Sequence, residues 1–570
     1  MVDYEASVSF LGTWGPYQRK VLVLLCLMAI APGFSILSVI YLLADPPHHC
    51  HVPEHSNLSQ EWMQASRPAQ VAGQSGRSSC SRYELDTLRN LSSLGIKPIL
   101  DLNQSDLGPG PGIAVSTLRE EGCMDGWTYS TEYYQSTIVT EFNLVCSDQW
   151  KRPLTSLVFF IGGLIGCLLS GQISDRFGRK PAMFGGVAIL SVFSCALAFA
   201  PSWPVSTALF FILGMGQISS YIVIFVLGSE QLVGETRILF SCICLPCSYV
   251  FGSLLLSGAA YLVQTWRYLS LIMAAPGLAC APLWWLVPES PRWLVSRGRL
   301  QEAEVILRSA AQESRVDAPP VIFVSSAEKV PSQKSESFSF LDLLKTTNIR
   351  NISVILWIMW FSVNVTYFGM TFNSSSLSGN PYLNYGLMTA VEIPAYVASW
   401  LAARRLPRRL SFIISGLLAS LALLLIQVTF HSQPAVTLSL VLMGKFGIVI
   451  GGGILYVFTG ELSPTVIRNT AMSSCAIFAR VGSALSPYLL QLAVFNQFLP
   501  WIIVGGLSLL SVGLCFFLPE TFRQALPDAI QQVPQAKFSW SCFSKYSPKE
   551  DKIAAKNQST PPDIICITHL

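Results

Sequence analysis

The sequence predicts an all-α membrane protein, with twelve transmembrane helices in two pseudo-symmetric six-helix halves. Three observations carry that expectation. Of 570 residues, 51% are hydrophobic and only 12% charged, and mean hydropathy is +0.48; a soluble domain carries roughly 25% charged residues. The chain also divides into uncharged runs long enough to cross a hydrocarbon core of about 30 Å as helix. Finally, landmarks recur at nearly one offset. "GSEQLVGETR" and "GELSPTVIR" place Glu230 before Arg237 and Glu461 before Arg468 at the same spacing, "PESPR" starts at Pro288 and "PETFR" at Pro519, and "GRK" at 178–180 answers "PRR" at 407–409.

The predicted spans lie near 21–43, 154–173, 182–200, 205–227, 238–261 and 268–287, then 353–372, 383–402, 411–430, 436–459, 470–492 and 499–518. They are continuously apolar rather than alternating, which argues for helices and against barrel strands. The first run is too long for a signal peptide and lacks a small-residue cleavage site, so it reads as a retained span.

Basic residues fix the orientation. If the spans alternate, Arg19, Lys20, the "DRFGRK" turn, Arg237, "PESPRWLVSRGR", "RRLPRR" at 404–409, Arg468 and Arg523 all fall on one side, the cytosol. The expected organisation is then a cytosolic N-terminus (1–20), a first half (21–288) containing an external loop (44–152), a cytosolic connector (289–351), a second half (352–519) and a cytosolic tail (520–570). The connector opens with the amphipathic "LQEAEVILRSAAQESR" and ends Ser-rich. The external loop holds sequons at Asn57, Asn90 and Asn103 and four cysteines, Cys50, Cys80, Cys123 and Cys146. In an oxidising compartment these read as two disulfides with three connectivities open. Sequons at Asn351 and Asn557 fall on the cytosolic side and Asn364 inside a span, so none of these is expected to carry glycan.

Three ionisable side chains interrupt the span cores: Glu392 in span 8, Lys445 in span 10 and Arg480 in span 11. Each costs at least about 2.5–3.5 kcal/mol at the bilayer centre, so each should face the protein interior. They are candidate substrate groups; mutual pairing that serves helix packing is the alternative. Arg480 lies among small residues in "CAIFARVGSALSPY", and a guanidinium can offer a carboxylate two parallel donors. A quaternary ammonium asks instead for aromatic faces. In "GQISDRFGRK", Gly178 permits a tight turn, and Asp175 is expected to pair with basic groups of the neighbouring half as a gate. Arg176, Arg179 and Lys180 belong to that gate or only fix topology. Glu230 with Arg237, and Glu461 with Arg468, are expected to form further cytosolic charge networks.

"GQISDRFGRK" resembles the signature of the major facilitator superfamily between spans 2 and 3, whereas "RRLPRR" lacks its acidic residue and glycine. "SFLGTWGPYQRKV", "STIVTEFNLVC", "PESPRWLVSRGR" and "GELSPTVIRN" together resemble the organic ion transporters of that superfamily. "GMGQISSYIVIFVLGSE", "VEIPAYVASW", "LPRR" and "ARVGSALSPY" are most similar to its organic cation/carnitine branch, and the resemblance spans residues 3–530. It implies the major facilitator fold, alternating access at the plasma membrane, and small zwitterions or cations such as carnitine, ergothioneine or quaternary ammonium compounds as substrates. It also implies substrate contact for Tyr221 and Tyr367, with Gln217 beside them, and a sodium ion as candidate co-substrate. Pro32 in "APGF" stands where carnitine-branch members carry Asn. The terminal "ITHL", with Thr568 and Leu570 as anchors, fits a PDZ-domain ligand.

No phosphate loop, HExxH or Cys/His metal spacing is present, so no enzyme, metal or nucleotide cofactor is expected. A net charge of +4, dispersed between apolar runs, excludes a nucleic-acid partner. The remaining alternatives are a facilitative polyspecific organic cation carrier without sodium coupling, a non-transporting receptor or scaffold, and a partner subunit.

Overall fold

The computed structural model describes residues 9–524 apart from 13, 54–57, 69–77, 100–111, 318, 320–321, 323–341, 378, 430–432, 465–466, 494–495, 497 and 523. Asn57, Asn103, Thr568 and Leu570 lie outside the described residues.

Helices occupy all twelve predicted positions. Those of the first half are Pro16–Leu42, Lys151–Phe177, Arg179–Ala198, Trp203–Gln231, Glu235–Leu262 and Trp266–Trp285. Those of the second are Thr347–Phe372, Pro381–Arg405, Arg408–Thr429, Pro434–Leu462, Arg468–Leu485 and Leu499–Cys515. Ten are long and apolar enough to cross a membrane by length and composition. Leu499–Cys515 is apolar but short, and Arg468–Leu485 carries Arg468 and Arg480 and is followed by Tyr488–Leu492.

Local chemistry sets the ends. Proline opens spans 1, 8 and 10 (Pro16, Pro381, Pro434), where its missing N–H costs nothing. Asn380 caps span 8 by accepting the N–H groups of Tyr382 and Leu383 at 2.9 and 3.4 Å. Spans 2 and 3 are separated by the single residue Gly178, whose φ of +110° is strained for any side chain. Between packed spans, close approach replaces the hydrophobic drive that lipid removes. A Cβ on Gly33 of span 1 would strike the Tyr249 backbone of span 5, and one on Gly252 would strike the Ile30 carbonyl.

The chain forms two compact units. The first holds the spans and the connector. Its second-half core gathers Trp357, Phe412, Ile448, Phe458 and Trp501, among others; its first-half core includes Leu25, Met28, Phe240 and Trp293. The connector helix Leu300–Ser314 joins that core through Ala303, Leu307, Ala310 and Ala311, the buried stripe its amphipathic sequence predicts. Its end is tied to span 1 by Lys20 and Glu313 at 3.0 Å.

The second unit, residues 41–154 and 264–266, contains the segment read from sequence as the external loop. Short strands pair there: His48–Cys50 with Trp127–Tyr129, Ser81–Tyr83 with Glu120–Gly122, and Lys97–Ile99 with Gly112–Ala114. Trp62, Ala65, Tyr83, Leu88 and Val115 form a small core of their own. The structure resolves the open connectivity: Cys50 joins Cys123 and Cys80 joins Cys146, with Cα separations of 4.9 and 5.6 Å. Arg82, buried to 2% exposure, is held by Glu121 and Asp125. Asn90 is exposed on helix Leu85–Ser93.

Candidate site in the transmembrane interior

Glu392 and Lys445 lie against each other. Lys445 Nζ is 3.0 Å from Glu392 Oε1, donates to Thr371 Oγ1 at 2.7 Å and sits 3.3 Å from the centre of the Tyr367 ring. The Tyr367 hydroxyl donates to the same Glu392 oxygen at 2.7 Å. Both charges are fully desolvated, at 1% and 5% side-chain exposure, so each depends on the other. The three candidates Tyr367, Glu392 and Lys445 thus meet in one cluster around a single Glu392 oxygen.

Arg480 behaves differently. It is half-buried in span 11, and no described hydrogen bond or ion pair engages its guanidinium. Its charge reaches Tyr221, Tyr249 and Cys167 of the first half. Tyr221 and Tyr249 meet edge to face with ring centres 4.9 Å apart. Gln217 is fully buried beneath them; its amide donates to the Tyr249 hydroxyl at 2.8 Å and to the Pro32 carbonyl at 3.3 Å. Tyr396 of span 8 lies within electrostatic reach of Glu392, Tyr221 and Tyr249. The interior therefore presents aromatic faces from both halves, a neutralised ion pair and one guanidinium without a described partner.

At the span ends that the sequence places in the cytosol, charges gather differently from expectation. Asp175 pairs with Arg179 of its own half, across the Gly178 turn, and among the described residues no ion pair joins it to the neighbouring half. At 64% side-chain exposure it is a surface group. Glu230 does not take Arg237. Its partners are Arg179 at 3.0 Å and the Ser290 hydroxyl at 2.6 Å, while Arg237 folds back to donate to the Leu232 carbonyl that ends span 4. Glu289 accepts the backbone N–H groups of Arg179 and Lys180 at 3.0 and 3.1 Å, capping span 3. Lys180 lies 4.9 Å from the Trp284 ring centre, and Arg176 packs on Phe177.

The second half repeats this arrangement despite its degenerate turn. Arg408 pairs with Glu461 at 2.8 Å, Thr521 donates to Glu461 at 2.6 Å, and Glu520 accepts the N–H groups of Arg408 and Arg409 at 2.9 and 3.1 Å. Arg468 turns back to the Ser463 carbonyl, as Arg237 does to Leu232. The missing acidic residue of "RRLPRR" corresponds to the exposed Asp175, and the buried part of the network needs neither it nor the glycine.

Residues 121–531 match the sugar (and other) transporter family. Organic cation/carnitine transporter 2 of Homo sapiens is 42% identical over 539 residues, covering 94% of this chain and 95% of that protein. The chain belongs to the organic cation/carnitine transporter family. Solute carrier family 22 member 4 of Mus musculus is 41% identical over 556 residues, covering 97% and 98%. In fold, the chain resembles the xylose transporter XylE from E. coli in a partially occluded inward-open form. That match has a TM-score of 0.56 at 15% identity over 90% of this chain and 100% of the other. The protein is a multi-pass plasma-membrane transporter of the major facilitator fold and not an enzyme.

Several participants escape a reading of the sequence. Tyr396 follows Glu392 by four residues, a spacing that puts both on one helix face; that signal was available. Tyr249 carried none, because span 5 holds no interior charge to draw attention to it. Glu289, Ser290, Glu520 and Thr521 stood inside the repeated "PESPR" and "PETFR", legible as a landmark but not as a cap.

Proposed function

We propose that this transporter moves small carboxylate-bearing zwitterions of the carnitine or ergothioneine kind by alternating access. Arg480 would hold the carboxylate, and aromatic faces at Tyr221, Tyr249 and Tyr396 would receive the quaternary ammonium. The observation that carries the reading is Arg480 itself: a half-buried guanidinium with no described ion pair, whose charge reaches the tyrosines of the opposite half. A membrane interior retains such a charge where a ligand answers it. Carnitine in the names of the relatives agrees with this chemistry.

On this reading, Arg480→Ala abolishes zwitterion uptake at unchanged surface abundance, since the bound carboxylate loses its partner at a cost of several kcal/mol. Tetraethylammonium, having no carboxylate, is affected less. Vesicles holding only the purified protein provide the assay, and equal loss of both substrates would return Arg480 to a structural role. The same vesicles compared in sodium and in choline decide whether sodium is a co-substrate or movement is facilitative. Absence of any uptake would favour a receptor or scaffold. A PDZ partner at Thr568 and Leu570 remains part of the proposal, tested by deleting the last four residues and measuring surface retention.

A further inference from the structure

Spans 1 and 5, odd-numbered members of an alternating bundle, run in the same direction and touch backbone to backbone. A Cβ on Gly33 would strike Tyr249 and one on Gly252 would strike the Ile30 carbonyl, and the Ser253 hydroxyl donates to the Gly33 carbonyl at 3.0 Å. Cys26, Ile30 and Gly33 follow one another at helical spacing along one face of span 1, as Cys244, Ser248 and Gly252 do along span 5. From the glycine contact toward the end that the sequence places in the cytosol, these two faces bring thiol to thiol. Cys26 and Cys244 lie within hydrogen-bonding reach of each other, with Cys247 in electrostatic reach of both. All three are half-buried free cysteines. Cys247 also lies within electrostatic reach of Tyr396 in span 8, so the thiols border the interior that a ligand crosses.

Both helices are irregular close to this pair. Pro32 lies inside span 1 and denies the preceding turn a donor. In span 5, Pro246 does the same, and the helix widens into a π-turn over Phe240–Cys244, a feature that gathers at functional sites. The cytosolic segment of each span can therefore bend against the part beyond it.

We propose that Cys26 and Cys244 are a site of oxidative modification, which peroxide closes into a disulfide that ties span 1 to span 5 and slows the carrier. One thiolate attacks a peroxide oxygen; the O–O bond breaks, hydroxide leaves with the electron pair, and a sulfenic acid results. The other thiol then displaces that hydroxyl as water and forms the S–S bond. Both sulfurs are oxidised, the peroxide oxygens are reduced, and the thiol protons end in the two waters. In a reducing cytosol the pair rests as thiols, and such bonds are transient. The cross-link holds together the segments that Pro32 and the π-turn leave free to bend, and movement of the span ends is part of alternating access.

Vesicles of the purified full-length protein are treated with hydrogen peroxide, the remaining thiols are alkylated, and peptides are mapped without reduction. Uptake of labelled carnitine and of tetraethylammonium is measured beside the mapping. The expected result is a linked Cys26–Cys244 peptide, loss of alkylation at both residues, and loss of maximal uptake rate at unchanged apparent affinity. Cys26→Ala and Cys244→Ala should each form no such link and keep in peroxide the rate they have without it, whereas Cys242→Ala should respond as the unaltered protein does. A link from Cys244 to Cys247 in its place, or Cys26 and Cys244 both still open to alkylation after peroxide, overturns the site. A link that leaves the uptake rate unchanged, or an equal fall of rate in Cys26→Ala, overturns the slowing of the carrier. The peptide map reads the protein directly, so it decides the site whichever of the two substrates is carried.

Discussion

At the scale of single residues, desolvation separates the charges that hold the protein together from those left to act. Lys445 and Glu392 are each almost wholly buried and satisfied by each other, Thr371 and Tyr367. Removing one partner leaves an unpaired charge in the interior, so Lys445→Met should cost about 3–5 kcal/mol of stability. The double variant Glu392→Gln with Lys445→Met, which removes both charges, should lose markedly less. Thermal unfolding of the detergent-solubilised protein reads the difference; equal losses would show that the pair is not the source. Asp175 is the opposite case: its carboxylate is 64% exposed and faces an Arg179 guanidinium that Glu230 also holds, so solvent screening leaves the contact worth at most about 1 kcal/mol; Asp175→Asn should then change the maximal uptake rate little, and a severe defect would mean that it has a partner in another transport state.

At the scale of elements, the two halves carry the same device built from different turn sequences. Glu230 is held by Arg179 and Ser290, and Glu461 by Arg408 and Thr521, while Glu289 and Glu520 cap spans 3 and 9. Glu461→Gln should therefore lower the maximal uptake rate as strongly as Glu230→Gln, with little change in apparent affinity; a defect confined to Glu230→Gln would break the equivalence. The loop unit contains a pH-dependent joint of its own, in which Asp45 stands 3.5 Å from His48 and 3.4 Å from Arg152. Burial opposes the charged imidazole of His48, but the hydrogen bond and charge of Asp45 outweigh it and raise its pKa. Burial likewise opposes the Asp45 carboxylate, and His48 and Arg152 overcome it, lowering its pKa. The His48 contribution is complete below its unfolded pKa of about 6.5 and fades as pH rises through the raised value, whereas the Asp45 contribution is complete above about 3.9 and fades in acid. Resistance of this loop to proteolysis should thus be greatest between those limits and fall on the alkaline side, and His48→Gln should remove that fall. Cleavage that is equally slow at neutral and mildly alkaline pH would contradict the assignment.

At the scale of the whole molecule, the disulfides close long loops, with sequence separations of 73 and 66 residues, and loops near that length contribute about 4 kcal/mol each in the chain-entropy description. Cys50→Ser should leave Cys123 open to alkylation while Cys80 and Cys146 stay protected; labelling at Cys80 or Cys146 instead would indicate the alternative pairing. The fold was legible from sequence because lipid imposes a simple rule: a backbone in hydrocarbon must satisfy its own hydrogen bonds, so apolar runs of sufficient length become helices, and a repeat of landmarks becomes a repeat of structure. The ionisable residues of the interior were also conspicuous, since Glu392, Lys445 and Arg480 interrupt otherwise apolar spans. Their partners were not. Sequence shows that a charge is expensive in a membrane but not which neighbour, from a helix far away in the chain, lies within the few ångströms over which that expense is relieved. Only the packing of spans 7, 8 and 10 joined Tyr367, Glu392 and Lys445, only the fold-back of "PESPR" and "PETFR" made Glu289 and Glu520 caps, and only the pairing of Glu392 with Lys445 left Arg480 as the interior charge without a described partner.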